Sequence, residues 1–250
     1  MRAYEGKQVW IIGASSGIGA ALAQELAAQG AQLVLSARRL EQLQALNQRL
    51  GGQHQVLAVD AGDPQSLLTA AAQIERLDSV VFMAAYYSTD SSRNYDIDFI
   101  QQIIRVNLGG AFNTVNAVKG IFKRQGYGQI ALCASVAGYR GLPYGQPYCA
   151  TKAALINYAE SLKIELENQQ IDVKVINPGF VKTPLTDKNK FTMPMLIQAD
   201  EAARILAQEL LSKRFEIHFP KRFTWFMKLV DVLPRWIYFP LARRLKGVKH

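Results

Sequence analysis

The amino-acid sequence predicts a single-domain α/β fold: a doubly wound parallel β-sheet of about seven strands, flanked by helices and followed by a C-terminal amphipathic helical tail. Short runs that are apolar throughout alternate with stretches of helical period, a pattern typical of parallel strands covered on both faces. A glycine-rich turn directly follows the first apolar run. The chain has 250 residues, 49% of them hydrophobic, enough for one large core.

The first third of the chain predicts four strands separated by three helices. Gly30 closes the first helix, Gly51 follows the second, and Asp63 and Pro64 are typical of the N-terminus of the third. The predicted strands are Gln8–Ile12, Gln32–Leu35, Gln55–Val59 and Ser79–Ala84, and the predicted helices are Gly17–Gln29, Leu40–Leu50 and Gln65–Arg76.

The rest of the chain continues the alternation. The segment Lys182–Gln198 has no clear period and contains Pro184 and Pro194, so we expect a mobile lid there. The catalytic domain is predicted to span residues 1–220, and residues 221–250 to form a basic, aromatic extension of it. The predicted elements are a long helix Asp96–Arg124 kinked near Gly109, strands Gln129–Ala134 and Val173–Ile176 around a helix Tyr148–Gln169, a helix Asp200–Lys213 and a last strand Glu216–Phe219.

Charge and composition exclude several classes of protein. The net charge is +9, but residues 221–250 hold eight Lys/Arg and one Asp, so the basicity belongs to the tail. No nucleic-acid motif accompanies it, and we expect no nucleic-acid partner. The two cysteines, Cys133 and Cys149, are too few for a disulfide scaffold and are expected in the core of a cytoplasmic protein. The start of the chain shows no apolar leader, and the scattered histidines predict no metal site.

The glycine-rich turn joins the first strand to the first helix and reads Gly-Ala-Ser-Ser-Gly-Ile-Gly. Glycines let the backbone turn tightly and approach a phosphate, and a helix N-terminus offers free amide donors. The spacing differs from the more usual Gly-x-Gly-x-x-Gly, yet its place between strand and helix favours dinucleotide binding. The candidate cofactor contacts in this turn are Gly13, Ser15, Ser16, Gly17, Ile18 and Gly19.

Two arginines, Arg38 and Arg39, follow the second strand. An acidic residue here would bind the ribose hydroxyls of NAD, and none is present. Guanidinium groups instead match a 2′-phosphate in a bidentate way. The sequence therefore predicts NADP(H) in preference to NAD(H).

The strongest catalytic signal is Tyr148 followed four residues later by Lys152, which places both on one helix face. A tyrosine has an ordinary pKa of about 10, and a nearby ammonium group lowers it toward the range useful for proton transfer. Ser135 lies 13 residues before Tyr148, at the end of an apolar strand where reactive groups of a parallel sheet collect. Asn107 lies inside the predicted long helix, where asparagine is unfavourable without a special reason.

These motifs together resemble the short-chain dehydrogenase/reductase family, which has a Rossmann-like fold, and the resemblance extends from about Lys7 to Phe219. It implies that Tyr148 transfers the proton while Ser135 polarises the carbonyl. It further implies that Lys152 tunes Tyr148 and holds the nicotinamide ribose, and that Asn107 supports a water relay behind Lys152. The further cofactor contacts implied by the resemblance are Asp60, Ala84, Pro178, Gly179, Val181 and Thr183, along with Tyr148 and Lys152.

The sequence departs from the family after the fourth strand. Members often read Asn-Asn-Ala-Gly there, and this chain reads Phe-Met-Ala-Ala from Phe82 to Ala85. We expect apolar packing to replace the lost asparagine bonds. Tyr86 and Tyr87 follow directly, and three roles stay open for them: crowding the cofactor, shaping the substrate mouth, or loop packing.

The tail predicts a helix with Lys228, Asp231 and Arg235 on one face and an apolar face opposite, disrupted at Pro234. The prolines and charges exclude a transmembrane helix. Two interpretations stay open: the tail lies on an anionic membrane, or it covers the substrate cleft or a neighbouring subunit. The residues of the predicted apolar face are Phe226, Leu229, Val230 and Leu233.

The sequence thus predicts an NADP(H)-dependent oxidoreductase that interconverts a carbonyl and a secondary alcohol, with a hydrophobic or lipid-like substrate. The resemblance implies a homodimer or homotetramer, and the expected location is cytoplasmic or peripheral at a membrane surface. The alternative is a non-catalytic dinucleotide-binding sensor or interaction protein on the same fold.

Overall fold

The computed structural model describes residues 2–88, 96–189 and 191–246, with side chains to residue 244. Its centre is a seven-stranded parallel sheet in the order β3-β2-β1-β4-β5-β6-β7. The strand order reverses between β1 and β4, so helices cover both faces, and the predicted doubly wound single domain is confirmed. The strands are β1 (Gln8–Ile12), β2 (Gln32–Ala37), β3 (Gln55–Ala58), β4 (Ser79–Phe82), β5 (Gly128–Cys133), β6 (Ile171–Pro178) and β7 (Glu216–Phe219).

The helices follow the predicted order, and most ends differ by a few residues. The third helix ends at Ala71 instead of Arg76, where the chain turns to bury Ile74 and Leu77. The helices are α1 (Gly17–Ala28), α2 (Leu40–Arg49), α3 (Pro64–Ala71), α4 (Ile97–Ile104), α5 (Gly110–Gln125), α6 (Tyr148–Glu165), α7 (Ala199–Leu210), α8 (Lys221–Asp231) and α9 (Arg235–Lys246).

The predicted long helix is present, and its irregularity lies near Gly109 as expected. A single wide turn of π geometry, Arg105–Gly109, joins α4 directly to α5. Gly110 starts α5 against the ring of Phe82, and a Cβ added there would lie 3.0 Å from the Phe82 Cζ. Close packing on β4 and the wide turn explain why this stretch is not one regular helix.

Alternate residues of each strand enter two separate cores, because successive side chains of a strand point to opposite faces. In β1, Trp10 and Ile12 pack on the face covered by α3, α5 and α6, whereas Val9 and Ile11 face α1, α2 and α7. This explains the continuous apolar runs. Phe82 and Met83 divide in the same way, so apolar packing does replace the family's asparagine bonds.

The tail folds as two helices with a break at Pro234. Its buried face differs from the predicted one. Phe223 and Met227 are buried, whereas Phe226 and Leu229 are 58% and 62% exposed. The helix rotates in this way because Phe223 and Met227 meet a pocket beside the sheet, formed with Val136. Within the described residues, none of the helices has the length and apolar character needed to cross a membrane.

Candidate active site

One cleft opens where the carboxyl ends of β1 and β4 diverge, the position at which doubly wound sheets bind ligands. The structure brings almost all of the predicted site residues to it. The predicted residues that line the cleft are Gly13, Ser15, Ser16, Gly17, Ile18, Gly19, Arg38, Arg39, Asp60, Ala84, Ser135, Tyr148, Lys152, Pro178, Gly179, Val181 and Thr183.

The glycine-rich turn is built so that only glycine fits at two of its positions. Gly13 has φ +99°, and a Cβ there would lie 2.6 Å from the amide nitrogen of Ala84. A Cβ at Gly19 would lie 2.3 Å from the carbonyl oxygen of Gly13. The turn is thereby held against the end of β4, with the N-terminus of the twelve-residue helix α1 at the cleft. A diphosphate fits this cradle, because anions bind favourably at the N-terminus of a helix.

The two arginines lie at the outer end of the cleft and are exposed. Arg39 donates from Nη2 to the hydroxyls of Ser15, at 3.1 Å, and Ser16, at 3.3 Å. A guanidinium beside two hydroxyls suits a phosphate monoester, so these residues fit the 2′-phosphate of NADP.

Asp60 lies at the same end but is already bonded. Its Oδ1 accepts from the amide of Gly62 at 2.9 Å, and its Oδ2 pairs with Arg105 at 3.1 Å. The carboxylate is therefore oriented by the wide turn between α4 and α5. Sequence reasoning did not identify Arg105, because the contact depends on a helical irregularity that the sequence pattern does not show.

Tyr148 and Ser135 meet at the inner end of the cleft. Burial raises the pKa of Tyr148, and a hydrogen bond from Ser135 opposes that rise. The hydroxyl of Ser135 also accepts from the amide of Ala137 at 3.1 Å, which fixes its orientation. The expected lowering of the Tyr148 pKa by Lys152 is not found, and burial of the phenol makes the net shift upward.

Lys152 is almost fully buried and donates from Nζ to the carbonyl oxygen of Cys133 at 2.7 Å. Its Nζ lies 5.5 Å from the centre of the Tyr148 ring. Burial also lowers the pKa of Lys152. The Cys133 carbonyl is a functional contact that sequence reasoning missed, since a main-chain oxygen leaves no signal in the sequence.

Asn107 does not line the cleft but lies behind it, fully buried. Its side chain accepts from the amide of Tyr86 at 2.6 Å and donates to the Tyr86 carbonyl at 3.1 Å. It also contacts the hydroxyl of Thr151 at 3.4 Å. The wide turn directs the amide inward, which explains an asparagine at an unfavourable helical position.

Tyr87 lies beside Tyr148. Its ring meets that of Tyr148 edge-on, with the centroids 4.9 Å apart, and its hydroxyl donates to Asn189 at 3.1 Å. The three roles left open for this tyrosine stay open. Tyr87 links Tyr148 to the segment 182–198, of which Lys190 lies outside the described residues.

The prediction that both cysteines lie in the core agrees with the structure. Cys133 and Cys149 are buried free thiols. In the described parts of the chain, no three His, Cys, Asp or Glu side chains cluster as metal ligands would. His250 lies outside the described residues.

The chain matches known proteins over most of its length. The family model described as short chain dehydrogenase matches residues 7–193. An uncharacterized oxidoreductase of Myxococcus xanthus is 32% identical over 243 residues, which cover 94% of this chain and 96% of that protein. The 3-oxoacyl-(acyl-carrier-protein) reductase of Escherichia coli is 31% identical over 209 residues, 82% of each chain.

Solved structures share the fold. A short chain dehydrogenase from Burkholderia cenocepacia in complex with NADP superposes with a TM-score of 0.84 at 20% identity, covering 95% of this chain and 98% of that one. A 3-oxoacyl-(acyl-carrier protein) reductase from Brucella melitensis with bound NAD gives a TM-score of 0.76 at 25% identity, covering 87% and 91%.

The family match excludes the alternative of a purely non-catalytic protein, because the related proteins are oxidoreductases. A fold of this kind positions a dinucleotide against a carbonyl or an alcohol. The chain therefore belongs to the short-chain dehydrogenase/reductase family and is an oxidoreductase that acts on CH–OH or carbonyl groups with NAD(P).

Proposed function

We propose that this enzyme uses NADP(H) to interconvert a carbonyl and a secondary alcohol, with Tyr148 as the general acid and base. The observation that carries the proposal is the convergence of Tyr148, Ser135 and Lys152 at the inner end of the cleft that begins at the glycine turn. The roles of the individual site residues are part of this proposal.

The cleft offers a separate group for each part of the cofactor. The turn from Gly13 to Gly19 would hold the diphosphate, and Arg38 with Arg39 the 2′-phosphate. Asp60 lies where an adenine would be contacted. Gly179, with the other cleft residues Ala84, Pro178, Val181 and Thr183, would hold the nicotinamide end. When bound, the dihydronicotinamide supplies the hydride.

Tyr148 supplies the proton in the direction of reduction. Its hydroxyl is protonated at neutral pH, as a proton donor requires, because the ordinary pKa of a tyrosine is already about 10 and burial raises it further. Ser135, oriented by the Ala137 amide, donates a hydrogen bond to the same carbonyl oxygen and stabilises the charge that develops there. The new O–H bond forms as the Tyr148 O–H bond breaks.

Lys152 positions the ribose and stabilises the tyrosinate left after transfer. Its Nζ is anchored by the Cys133 carbonyl within reach of the Tyr148 ring. Asn107 holds the backbone of Tyr86 at the back of the site. By this contact it would support the path along which a water molecule returns the proton.

The substrate side is apolar. Val136 follows Ser135 directly and packs with Phe223, Met227 and Phe180 beside Gly179. The closely related reductases act on 3-oxoacyl groups. We infer that the substrate is a hydrophobic or lipid-like carbonyl compound, and 3-oxoacyl thioesters are the first compounds to assay.

A second copy of the chain is the proposed partner. Phe112 of α5 is 45% exposed and packs against Tyr158 of α6, with ring centroids 4.2 Å apart. Ile164 on α6 is 76% exposed. An apolar face across the two long helices favours a homodimer or homotetramer, and analytical ultracentrifugation of Phe112→Ser against wild type tests it.

The cofactor assignment is tested by titrating the purified enzyme with NADPH and NADH while following cofactor fluorescence. Wild type should bind NADPH more tightly, and Arg38→Ala should lose at least tenfold in NADPH affinity with little change for NADH. Arg49→Ala, an exposed arginine on α2, is the matched control. Equal affinities for the two nucleotides would overturn the NADP assignment, and no binding of either would overturn the whole proposal.

A further inference from the structure

The tail presents an exposed face that the proposed reaction does not use. On α8 and at its C-terminal end, Trp225, Phe226, Leu229 and Val232 are between 58% and 74% exposed. On a helix of 100° per residue these four side chains lie within one face, opposite the buried Phe223 and Met227. On α9, Trp236 and Phe239 are 76% and 51% exposed.

The same surface is strongly basic. Exposed cationic side chains lie at both ends of it, and the one acidic residue of the tail is Asp231. Lys228 is paired with Glu216 and Lys221 with Glu209, so both are excluded from this count of available charge. We call the exposed apolar residues and the remaining cations together the tail face. Its basic members are Arg222, Arg235, Arg243 and Arg244.

The tail face is held rigidly on the body of the enzyme. Arg140, in the loop after Ser135, donates to the carbonyl oxygens of Asp231 and Leu233 and lies 4.3 Å from the centre of the Tyr238 ring. Tyr238 in turn donates to the carbonyl of Gly141. These contacts tie both tail helices to the loop that leads into Tyr148.

We propose that the tail face docks on an anionic lipid bilayer, with its aromatic side chains at the headgroup level and its basic side chains against the lipid phosphates. Tryptophan and basic residues interleaved on an exposed amphipathic helix are the combination that binds a membrane interface. This inference goes beyond the proposed oxidoreductase chemistry and does not depend on it.

A second copy of the chain is the other candidate occupant, and charge disfavours it. A two-fold interface would place the same patch of each subunit against the other, so four cations would face four cations. An anionic leaflet instead complements them, with a contribution of roughly a factor of five in affinity for each Lys or Arg at the surface.

Docking of the tail face would place the substrate side of the cleft next to the membrane surface. Phe223 and Met227, on the opposite side of α8, pack with Val136, and Phe223 lies beside Gly179, so the same helix contacts the bilayer and the site. An apolar substrate would then enter the cleft from the membrane surface without crossing water.

The test is a flotation assay of the full-length enzyme with vesicles of phosphatidylcholine, with and without phosphatidylglycerol. Wild type should float only with the anionic vesicles, and added salt should release it. Arg243→Gln with Arg244→Gln should lower the partition coefficient about 30-fold. Trp225→Ala with Trp236→Ala should lower it at least tenfold. Arg49→Gln with Lys213→Gln, an exposed pair elsewhere on the surface, should leave it unchanged.

Fluorescence and sedimentation complete the test. Trp10 is fully buried, so a blue shift of tryptophan emission on adding vesicles should come from Trp225 and Trp236 and vanish when both are replaced by phenylalanine. NADPH affinity and Tm of every variant should match wild type, which separates loss of docking from misfolding or from a failed cofactor assignment. Absence of vesicle binding would overturn the proposal. So would a concentration-dependent dimer that the Arg243→Gln, Arg244→Gln variant loses.

Discussion

Lys152 donates a hydrogen bond from its buried Nζ to the carbonyl oxygen of Cys133 at 2.7 Å, and this contact couples the helix α6 to the end of strand β5. The described ion pairs of the enzyme do not include Lys152. The ammonium group is therefore held by a dipole rather than by a counter-charge, and burial lowers its pKa. A buried ammonium group without a counter-charge lowers the free energy of unfolding, and its presence indicates a role in the reaction.

Replacing Lys152 by methionine should therefore abolish activity and raise Tm. The unfolded state binds the Lys152 proton more tightly than the folded state does. At a pH where the ammonium group is buried in its charged form, the lysine therefore lowers the free energy of unfolding. A gain of about 1 kcal/mol corresponds to a rise of roughly 2–4 °C for a domain of this size. Differential scanning calorimetry at neutral pH measures it.

Lys174 provides the matched control. It is also fully buried, but its Nζ donates to the carbonyls of Ser212 and Arg214 and pairs with Asp172 at 3.1 Å. Lys174→Met removes the donor to both carbonyls and one of the partners of Asp172, which keeps Lys163 and Gln129, and should lower Tm. A fall in Tm for both lysines would show that the Cys133 bond outweighs the desolvation of Lys152.

Tyr148→Phe should lower kcat by a factor of about 10² to 10⁴, the usual contribution of a positioned general acid. NADPH affinity should stay within a factor of about two, since the ring and its contact with Tyr87 remain. Steady-state kinetics with a 3-oxoacyl thioester and fluorescence titration measure the two quantities. Tyr158→Phe, on the same helix, is the control, and a Tyr148→Phe enzyme with wild-type kcat would exclude Tyr148 as the proton donor.

Gly13→Ala should destabilise the enzyme and weaken NADPH binding at least tenfold. The new Cβ would meet backbone atoms of Ala84 at 2.6 Å, so the turn must move away from β4. Gly126→Ala separates strain from crowding, because Gly126 has φ +77° and open space around it. That variant should cost only about 1 kcal/mol and leave cofactor binding intact. Urea denaturation and NADPH titration of both variants decide between the two effects.

Glu216→Gln should destabilise the enzyme at neutral pH, and the difference should disappear in acid. Burial by itself raises the pKa of Glu216, but hydrogen bonds from Lys228, Tyr139 and Asn177 outweigh it, so the net pKa is lowered. A carboxyl of this kind adds stability above its unfolded value of about 4.3, and the contribution is lost as pH falls through the folded pKa. We expect a loss of about 1–3 kcal/mol at pH ~7.

Urea denaturation at a series of pH values measures this effect. Glu160→Gln, an exposed glutamate on α6, should change stability little at any of them. A Glu216→Gln penalty that persisted unchanged in acid would contradict an electrostatic origin and indicate lost packing instead.

The sequence by itself determined the layered architecture, because period and apolar runs report which faces are buried. The run from Val9 to Ile12 requires a strand covered on both sides, and the glycines of the following turn require close approach of backbone and ligand. The spacing of Tyr148 and Lys152 placed them on one helix face. These are local relations, and local sequence encodes them.

Tertiary structure alone decided what depends on partners distant in the chain. The wide turn between α4 and α5 lies where Asn107 reaches Tyr86 and Gly110 meets Phe82. Burial, which sets the pKa of Tyr148, depends on everything packed around it. The tail turned Phe223 inward rather than Phe226, because a helix with apolar residues on several faces buries the one that fits the neighbouring surface. The periodicity of the sequence alone gives no information about that neighbouring surface.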